Sequence, residues 1–404
     1  MIVHMHSSSI AFPPPDPRIA ELARECLDDL ERLIDVWIDV VSPVRIAYAD
    51  RVPDADFRDS ARDALEMLVR TVAQLPVPAD VAEVSERVGT RRARQGVPLD
   101  ALLAAARLDF RVVWTALVHR AEERNMTHLV ASAYYVWEAV ERHVTGIMTA
   151  YQRTVLEMGR RAEDERQMWF ARLMDCGGRN PTVVSDAALA LGFQVAGEYV
   201  CVAASAQHAA APRRAAAELR AAGILVQQQA LDSHAVLTAR LGPRATAETV
   251  LGCLGDTPCG VSPIVGRLAD VPRAVRLAIT TARTLPAGAR GPRWLQDSWL
   301  DVLVHRAEEL AHDLADDVLG GLDRPEVGDA ERDRLLHTLR VHLAGNGAIA
   351  DTAAAVYCHR NTVQHRFNRF HELTGQDVRH PEAAALIALA LRARDRRSTA
   401  RDPG

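Results

Sequence analysis

The residues from Ala350 to Phe370 constrain the fold of this chain more than any other stretch. Small residues predict a helix that ends at Val356, a tight turn follows over Tyr357–His359, and a second helix begins at Arg360. Two crossed helices need small or apolar residues at their contact. Four positions meet this need: Ala353, Val356, Val363 and Phe367. The sequence therefore predicts a helix-turn-helix.

The second helix separates apolar from polar residues. At about 100° per residue, one face carries Val363, Phe367, Phe370 and Thr374. The opposite face carries Asn361, His365, Asn368 and Glu372, flanked by Thr362, Gln364 and Arg369. Such a row of hydrogen-bonding side chains suits the major groove of DNA, where base edges present donors and acceptors. An ordinary pair of packed helices with a solvated outer face has the same periodicity, so periodicity alone leaves both interpretations open.

Specific residues favour the first interpretation. The segment from Val356 to Val363, together with Arg366 and Glu372–Gly375, resembles the C-terminal helix-turn-helix of the PucR family of bacterial transcription regulators. The resemblance covers residues 333 to 392, and the flanking helices of that family are matched by Leu335–Leu339, Pro381–Glu382 and Ala388–Leu391. The chain departs from the family at Gln364, where Arg or Lys is usual, and at His365, where Tyr is usual. These departures leave the target sequence open.

The resemblance implies double-stranded DNA as the partner. Asn361 and Gln364 are suited to adenine, and His365 and Asn368 are further candidates for base contacts. The candidates for phosphate contacts, aided by the amides that open the helix, are His359, Arg360, Thr362, Arg366 and Arg369. Arg366 lies nearer the buried flank, so an intramolecular salt bridge is an alternative role. One helix-turn-helix rarely binds tightly enough alone, so we expect a homodimer or higher oligomer that reads two half-sites.

The charge distribution fits a DNA-binding module on an acidic body. The whole chain has a net charge of −5, whereas the segment from Asp329 to Gly404 holds 12 Arg against 9 Asp and Glu. A basic segment on an otherwise acidic chain is typical of an attached DNA-binding domain.

The sequence offers no motif for a metal, a cofactor or an enzyme mechanism. Its six cysteines form no C-x-x-C pair, no His stands at zinc-ligand spacing, and no nucleophile–base set or phosphate-binding loop occurs. No stretch of 18 uncharged apolar residues is present, and residues 1–17, a predicted disordered leader, lack the apolar core of a signal peptide. We therefore expect a cytoplasmic protein that is not an enzyme, has no cofactor and does not associate with a membrane.

Residues 18–166 predict a bundle of five or six helices. The stretch Gly89–Asp100, followed by Arg107 and Trp114, resembles the N-terminal helical domain of RsbR-type stress-response co-antagonists and many actinobacterial PucR-like regulators. This resemblance implies a sensory or interaction module that responds to a small-molecule effector or a signalling protein. Three histidines in this region, His119, His128 and His143, are better interpreted as surface or core residues than as haem or metal ligands.

The helical pattern continues from Thr127 to Met174 with little interruption. At 1.5 Å per residue, one helix over this range would be about 70 Å long. A break near Gly159 would instead give two ordinary helices. The sequence leaves both alternatives open.

In residues 167–310 the hydrophobic pattern is no longer helical throughout but alternates between strand and helix periods, which predicts an α+β domain. The order β-α-β-β-α-β-α, from a strand at Glu198–Ala203 to a helix at Val271–Leu285, predicts a ferredoxin-like plan. Gly260–Ser262 and the helix after it resemble the central degenerate GGDEF-like domain of PucR-type and CdaR-type regulators. A nucleotide cyclase needs a Gly-rich hairpin with paired acids to hold a triphosphate and its metal ions. The turn Leu231–His234 has one carboxylate and no Gly, so we expect no catalysis there.

The sequence thus predicts a multidomain, mainly α protein with a helical bundle at 18–166, a ferredoxin-like α+β domain at 167–310, a linker at 323–328, a helix-turn-helix domain at 329–393 and a tail at 394–404. The predicted function is sequence-specific transcription regulation, controlled by a ligand or a partner. The alternative is a stress-signalling interaction module with a vestigial helix-turn-helix, which Gln364 mildly favours. The effector, the operator and the direction of regulation stay open.

Overall fold

A computed structural model describes residues 16–48, 50–121, 123–286 and 288–401. The chain is mainly helical with a small mixed sheet in its middle, which confirms the predicted fold class, and it divides into the compact units Met1–Asp164 and Glu165–Gly404. No helix in the described ranges is both long and apolar enough to cross a membrane. The predicted leader lies outside these ranges up to residue 15, and Asp16 caps the first helix by accepting from the Arg18 amide.

The first unit is built from helices around one apolar core. In the described residues these are α1 Pro17–Asp28, α2 Leu30–Val41, α3 Asp54–Val72, α4 Ala79–Ala82, α5 Val84–Arg94, α6 Leu99–Arg120 and α7 Glu123–Asp175, with a 3-10 turn at Arg45–Tyr48. The last turns of α7 lie beyond Asp164 and belong to the second unit. Their buried faces meet around Ile34, Leu65 and Leu117. The five or six predicted helices become seven because Asp29 separates α1 from α2 and a single helical turn forms α4.

Helix α7 is one continuous element. It passes through Gly159 without a break, so the single-helix alternative is the one that the structure shows. An isolated Gly costs a helix only about 1 kcal/mol relative to Ala, which a helix of this length tolerates.

The first part of the second unit is a sheet covered by helices. Its elements are α8 Pro181–Leu191, β1 Ala196–Ser205, α9 Ala210–Ala221, β2 Val226–Leu231, β3 His234–Arg240, α10 Ala247–Gly252, β4 Cys259–Val261, β5 Val265–Arg267, α11 Val271–Arg283 and β6 Pro292–Trp294, with 3-10 turns at Ala206–His208, Leu268–Asp270 and Leu295–Asp297. The strand order is β2-β3-β1-β4-β6, and β5 also pairs with β1. The first four strands are antiparallel in the order of a ferredoxin-like plan, and β6 extends the sheet parallel to β4.

Two local features explain how this sheet is built. Asp232 and Ser233 join β2 to β3 with φ of 44° and 62°, the two-residue turn that suits a twisted hairpin. Gly260 on β4 lies directly under α11, since a Cβ there would be 2.3 Å from the Ala278 carbonyl oxygen. The glycine noticed in the sequence is therefore explained by close packing of α11 on the sheet.

The second part of this unit is a helical body. Its elements are α12 Trp299–Arg306, α13 Glu308–Leu319, a 3-10 turn at Gly320–Asp323, α14 Asp329–Ala344, α15 Ile349–Ala355, α16 Arg360–Thr374 and α17 Pro381–Arg401. Helices α13 and α17 pack along each other and share one core with α14 and α16. The crossed pair α15 and α16 confirms the predicted helix-turn-helix.

Two segments differ from the sequence prediction. The linker expected at 323–328 is part of the core, because Val327 is buried in it beside Leu322. The tail expected from residue 394 is helical through Arg401. Ion pairs hold it there, from Arg394 to Asp323 at 2.7 Å and from Arg397 to Asp316 at 3.0 Å. The charged residues that predicted a frayed C-terminal tail are the ones whose ion pairs hold it as a helix.

Candidate nucleic-acid interface

The turn between α15 and α16 closes the first helix tightly. Tyr357 has left-handed backbone, with φ of 54°. Its N–H donates to the Ala354 carbonyl at 3.3 Å, and the Cys358 N–H donates to the Ala353 carbonyl at 3.0 Å. This is the Schellman pattern of helix termination, with Tyr where Gly is usual. The Tyr357 side chain is 97% exposed.

His359 caps the start of α16. Its Nδ1 accepts a hydrogen bond from the Asn361 N–H at 3.2 Å, so Nδ1 carries no proton in this arrangement. The cap satisfies one of the amides that have no partner within the helix. The Thr362 N–H donates to the His359 carbonyl at 2.9 Å. The positive end of the helix dipole makes this helix start a favourable position for a phosphate.

The inner face of α16 is fixed by burial. Val363, Phe367 and Phe370 are buried in the core, as predicted, and Leu373 joins them. Thr374, predicted on this face, is half-buried and donates its hydroxyl to the Phe370 carbonyl. The orientation of the helix about its axis is therefore set by apolar packing, which determines the side chains that face outward.

The outer face of α16 presents most of the predicted contact residues to solvent. Seven are exposed: His359, Arg360, Asn361, Thr362, Gln364, His365 and Asn368. We call these seven residues the outer ridge. Within the described residues, the Arg360 side chain makes neither a hydrogen bond nor an ion pair. The ridge thus combines amides, imidazoles, a hydroxyl and one uncommitted guanidinium.

The other two predicted residues bind within the protein. Arg366 is half-buried and donates to the Thr338 hydroxyl on α14 at 2.9 Å, a hydrogen bond rather than the salt bridge considered from sequence. Arg369 is half-buried and pairs with Glu331 at 2.9 Å and Glu372 at 3.4 Å. Hydrogen bonds to Glu331 and then to Glu372 raise the pKa of Arg369. Both guanidinium groups fasten parts of this domain to α16.

A buried histidine, which sequence reasoning missed, connects α14 to α15. His342 Nδ1 lies 2.8 Å from the Thr352 hydroxyl, and that hydroxyl donates its proton to the Ala348 carbonyl. The His342 Nδ1–H must therefore be the donor. Burial lowers the pKa of His342, and its ring packs edge-on against Phe367. The polar pair positions both helices of the motif.

The first unit holds a separate buried polar cluster. The Trp37 indole donates to Asp109 Oδ1 at 2.6 Å, and His143 Nδ1 lies 2.8 Å from the Ser85 hydroxyl. Asp109 Oδ2 and His143 Nε2 are 3.6 Å apart beside a cavity of about 40 Å³. Burial raises the pKa of Asp109 to about 8 and lowers the pKa of His143 to about 4. Burial thus favours the neutral form of each group.

The three histidines considered from sequence do not form one site. His143 is buried, His119 is exposed, and His128 is half-buried with its Nδ1 2.9 Å from Asp16. No group of three or more His, Cys, Asp or Glu in the described ranges is placed to hold a metal ion.

Two segments of the chain match known domain families. Residues 31–166 match the family model of the RsbT co-antagonist protein rsbRD N-terminal domain, and residues 335–393 match that of the PucR C-terminal helix-turn-helix domain. Both matches agree with the resemblances seen in the sequence. The central segment lies outside these two matches, and its GGDEF-like resemblance stays a prediction.

Individual proteins show similarity over limited ranges. The purine catabolism regulatory protein of Bacillus subtilis (strain 168) is 44% identical over 62 residues, which are 15% of this chain and only 12% of that relative. The crystal structure of a regulator of polyketide synthase expression from Bifidobacterium adolescentis aligns with 58% of this chain and 98% of that chain, at 20% identity. Its TM-score of 0.30 is too low for a comparison of folds.

Proposed function

We propose that this chain, which joins an RsbRD-type N-terminal domain to a PucR-type helix-turn-helix domain, regulates transcription by binding specific DNA sequences. The observation that carries the proposal is the outer ridge, a row of exposed hydrogen-bonding side chains on a helix whose other face is fixed in a core. Exposed polar side chains on a rigid helix are what direct readout of base edges requires.

The residues of the ridge divide into two roles. Asn361 and Gln364 supply carboxamides, which pair with adenine through one donor and one acceptor, and His365 and Asn368 reach neighbouring bases. Arg360, Thr362 and the capped first turn of α16 bind phosphate and set the register of the helix on the duplex. Arg366 and Arg369 act indirectly in this proposal, by holding α16 in place.

The proposed protein is a homodimer or higher oligomer on DNA. One ridge supplies few base contacts, and helix-turn-helix proteins reach useful affinity by pairing two half-sites about 34–36 Å apart. The RsbRD-type domain, residues 31–166, receives the controlling signal from a small molecule or a signalling protein.

One observation favours a second candidate function. Gln364 stands where Arg or Lys is usual in the family that this segment resembles, and Arg360 is the one arginine of the outer ridge. Neutralisation of phosphates by Arg and Lys supplies most non-specific affinity for DNA. A ridge with a single arginine therefore contributes little to that affinity. A chain that has lost DNA binding and retains only its interaction domain would show this pattern.

Selection of bound fragments from a random DNA library, followed by gel-shift titration, separates the two functions. A regulator enriches one sequence, and its affinity for that sequence falls steeply between low and high salt. An interaction module enriches no sequence and shows no retention even at low salt. Recovery of no enriched sequence at either salt concentration contradicts the proposal.

A further inference from the structure

The second unit contains an open cleft beside the helix-turn-helix domain. Its walls are the end of α11, strand β6, helix α12, the start of α13 and the last helix α17. The cleft has a volume of about 430 Å³, within the range of sites for small molecules. Four arginines and three acids line it: Arg283, Arg293, Arg392, Arg396, Asp301, Glu308 and Asp395.

Some of these charges neutralise one another. Arg392 Nε lies 3.2 Å from Asp301 Oδ1, and Asp395 pairs with Arg340. In the described part of the chain, no carboxylate pairs with Arg283, Arg293 or Arg396. Glu308 is the remaining acid of the lining. The cleft therefore presents three guanidinium groups against one carboxylate.

His305 shows the effect of this charge on a neighbouring group. Burial and then the charge of Arg396 lower the pKa of His305, Arg283 and Arg306 lower it further, and Glu308 opposes them. The Arg396 guanidinium donates to His305 Nδ1 at 2.9 Å, so this nitrogen carries no proton. The neutral ring holds the Arg396 guanidinium at the edge of the cleft without cancelling its charge.

We propose that this cleft binds a phosphate-bearing small molecule. Guanidinium groups bind phosphate through paired N–H donors, and a phosphate offers enough acceptor oxygens to engage several arginines at once. The surplus of positive over negative side chains matches a phosphate group with two negative charges. A neutral or cationic molecule would leave the three arginines uncompensated.

A phosphate bound here would join the sheet to the DNA-binding body. Arg283 ends α11 and Arg293 lies on β6, whereas Arg396 belongs to α17, which packs in the core of the helix-turn-helix domain. An effect of this ligand on DNA affinity rests on the proposed function, because it requires that the chain binds DNA. Binding of the ligand to the cleft does not depend on that function.

Calorimetric titration with inorganic pyrophosphate tests the site directly. The full-length chain is titrated at constant ionic strength, beside Arg293→Ala, Arg396→Ala and the control Arg290→Ala. Arg290 is an exposed arginine that lies in the loop just before β6 and does not line the cleft. We expect saturable binding that weakens about tenfold in each cleft variant, the loss typical of one charge-assisted hydrogen bond, and an unchanged value in the control. Circular dichroism spectra verify that each variant is folded.

Two results overturn the proposal. One is the absence of saturable binding to the wild-type chain, and the other is binding that both cleft variants leave unchanged or that Arg290→Ala weakens equally. The second result identifies an adventitious, non-specific attraction of an anion. Gel-shift titration of the same proteins keeps the two proposals separate, because loss of DNA binding with intact pyrophosphate binding contradicts only the proposed function.

Discussion

Gly321 lies directly against the backbone of Leu373. A methyl group at Gly321 would be 2.1 Å from the Leu373 carbonyl oxygen, well inside any tolerable contact. Leu373 is in the last turn of α16, and Gly321 is in the 3-10 turn that precedes α14. The end of the proposed recognition helix is thus positioned by backbone contact with a distant turn.

This contact predicts that Gly321→Ala destabilises the helix-turn-helix domain by about 1–3 kcal/mol, the range for overpacked sites. The neighbouring Gly320 has open space and helical backbone, so Gly320→Ala is the matched control and should be neutral or slightly stabilising. Hydrogen exchange of the α16 peptide in the full chain measures both. Equal protection in the two variants would show that the contact is absent.

The pair His342–Thr352 gives a second prediction. Thr352→Val keeps the shape of the side chain but leaves the buried His342 Nδ1–H without its acceptor, which costs about 1–3 kcal/mol. Thr352→Ser retains the hydroxyl and should keep most of the stability. Urea unfolding, followed through hydrogen exchange in α14 and α15, compares them. If the serine variant is destabilised as much as the valine variant, the effect comes from lost packing and not from the lost hydrogen bond.

Asn361→Ala should weaken binding to the selected DNA sequence by about 1–3 kcal/mol, the value of one good base contact. Non-specific affinity should change little, because the amide carries no charge. Gln296→Ala removes a carboxamide from an exposed position in the sheet part of the unit and serves as the control. Gel-shift titration measures both affinities. An unchanged specific affinity would remove Asn361 from the reading surface.

Arg360 and Arg366 should behave differently although both are arginines of α16. Arg360→Ala removes a free guanidinium, so affinity should fall for all DNA sequences, and the slope of log affinity against log salt should decrease by about 1. Arg366→Ala removes the hydrogen bond to Thr338, so thermal stability should fall with little change in that slope. Binding measured over a series of salt concentrations decides the matter. The reverse outcome would place Arg366, not Arg360, on a phosphate.

Asp109 makes the stability of the first unit depend on pH. Its pKa is about 8 in the folded chain against an ordinary 3.8, so between these values the folded state holds a proton that the unfolded state lacks. The free energy of unfolding therefore falls as pH rises through this window. His143, with a pKa of about 4 against 6.5, acts oppositely only below pH 6.5.

The window from pH 6.5 to 8 isolates the contribution of Asp109. Asp109→Asn keeps an acceptor for the Trp37 indole and should remove the decline in stability there. Hydrogen exchange of the α6 peptide at several pH values provides the measurement. A wild-type decline that persists in the variant would assign it to other groups.

Local rules predicted much of the helix-turn-helix from sequence. Helix α16 begins at the predicted Arg360, and its inner face follows the predicted apolar period. The interpretation of the ridge required more, because Arg366 and Arg369 look like the other polar residues of the helix. Their partners, Thr338 and Glu331, are on α14, 28 and 38 residues earlier, and no short-range pattern reveals such a pairing.

The same limit explains the two segments at the edges of the predicted domain. Residues 323–328 and the end of α17 are rich in charge, which by itself indicates exposed chain. Burial of Val327 and the pairing of Arg397 with Asp316 depend on helix α13, whose position is set by the tertiary fold. Composition gives the polarity of a segment, but its partners decide whether it is ordered.

Tyr357 holds a backbone conformation that costs an L-residue about 1–2 kcal/mol and that glycine adopts freely. Its ring gains almost no burial in return, since nearly all of it faces water. The unbound protein is therefore less stable than a variant with glycine at position 357 would be. The exposed Tyr357 ring lies beside the start of α16. It is therefore placed to pack against a surface that α16 binds.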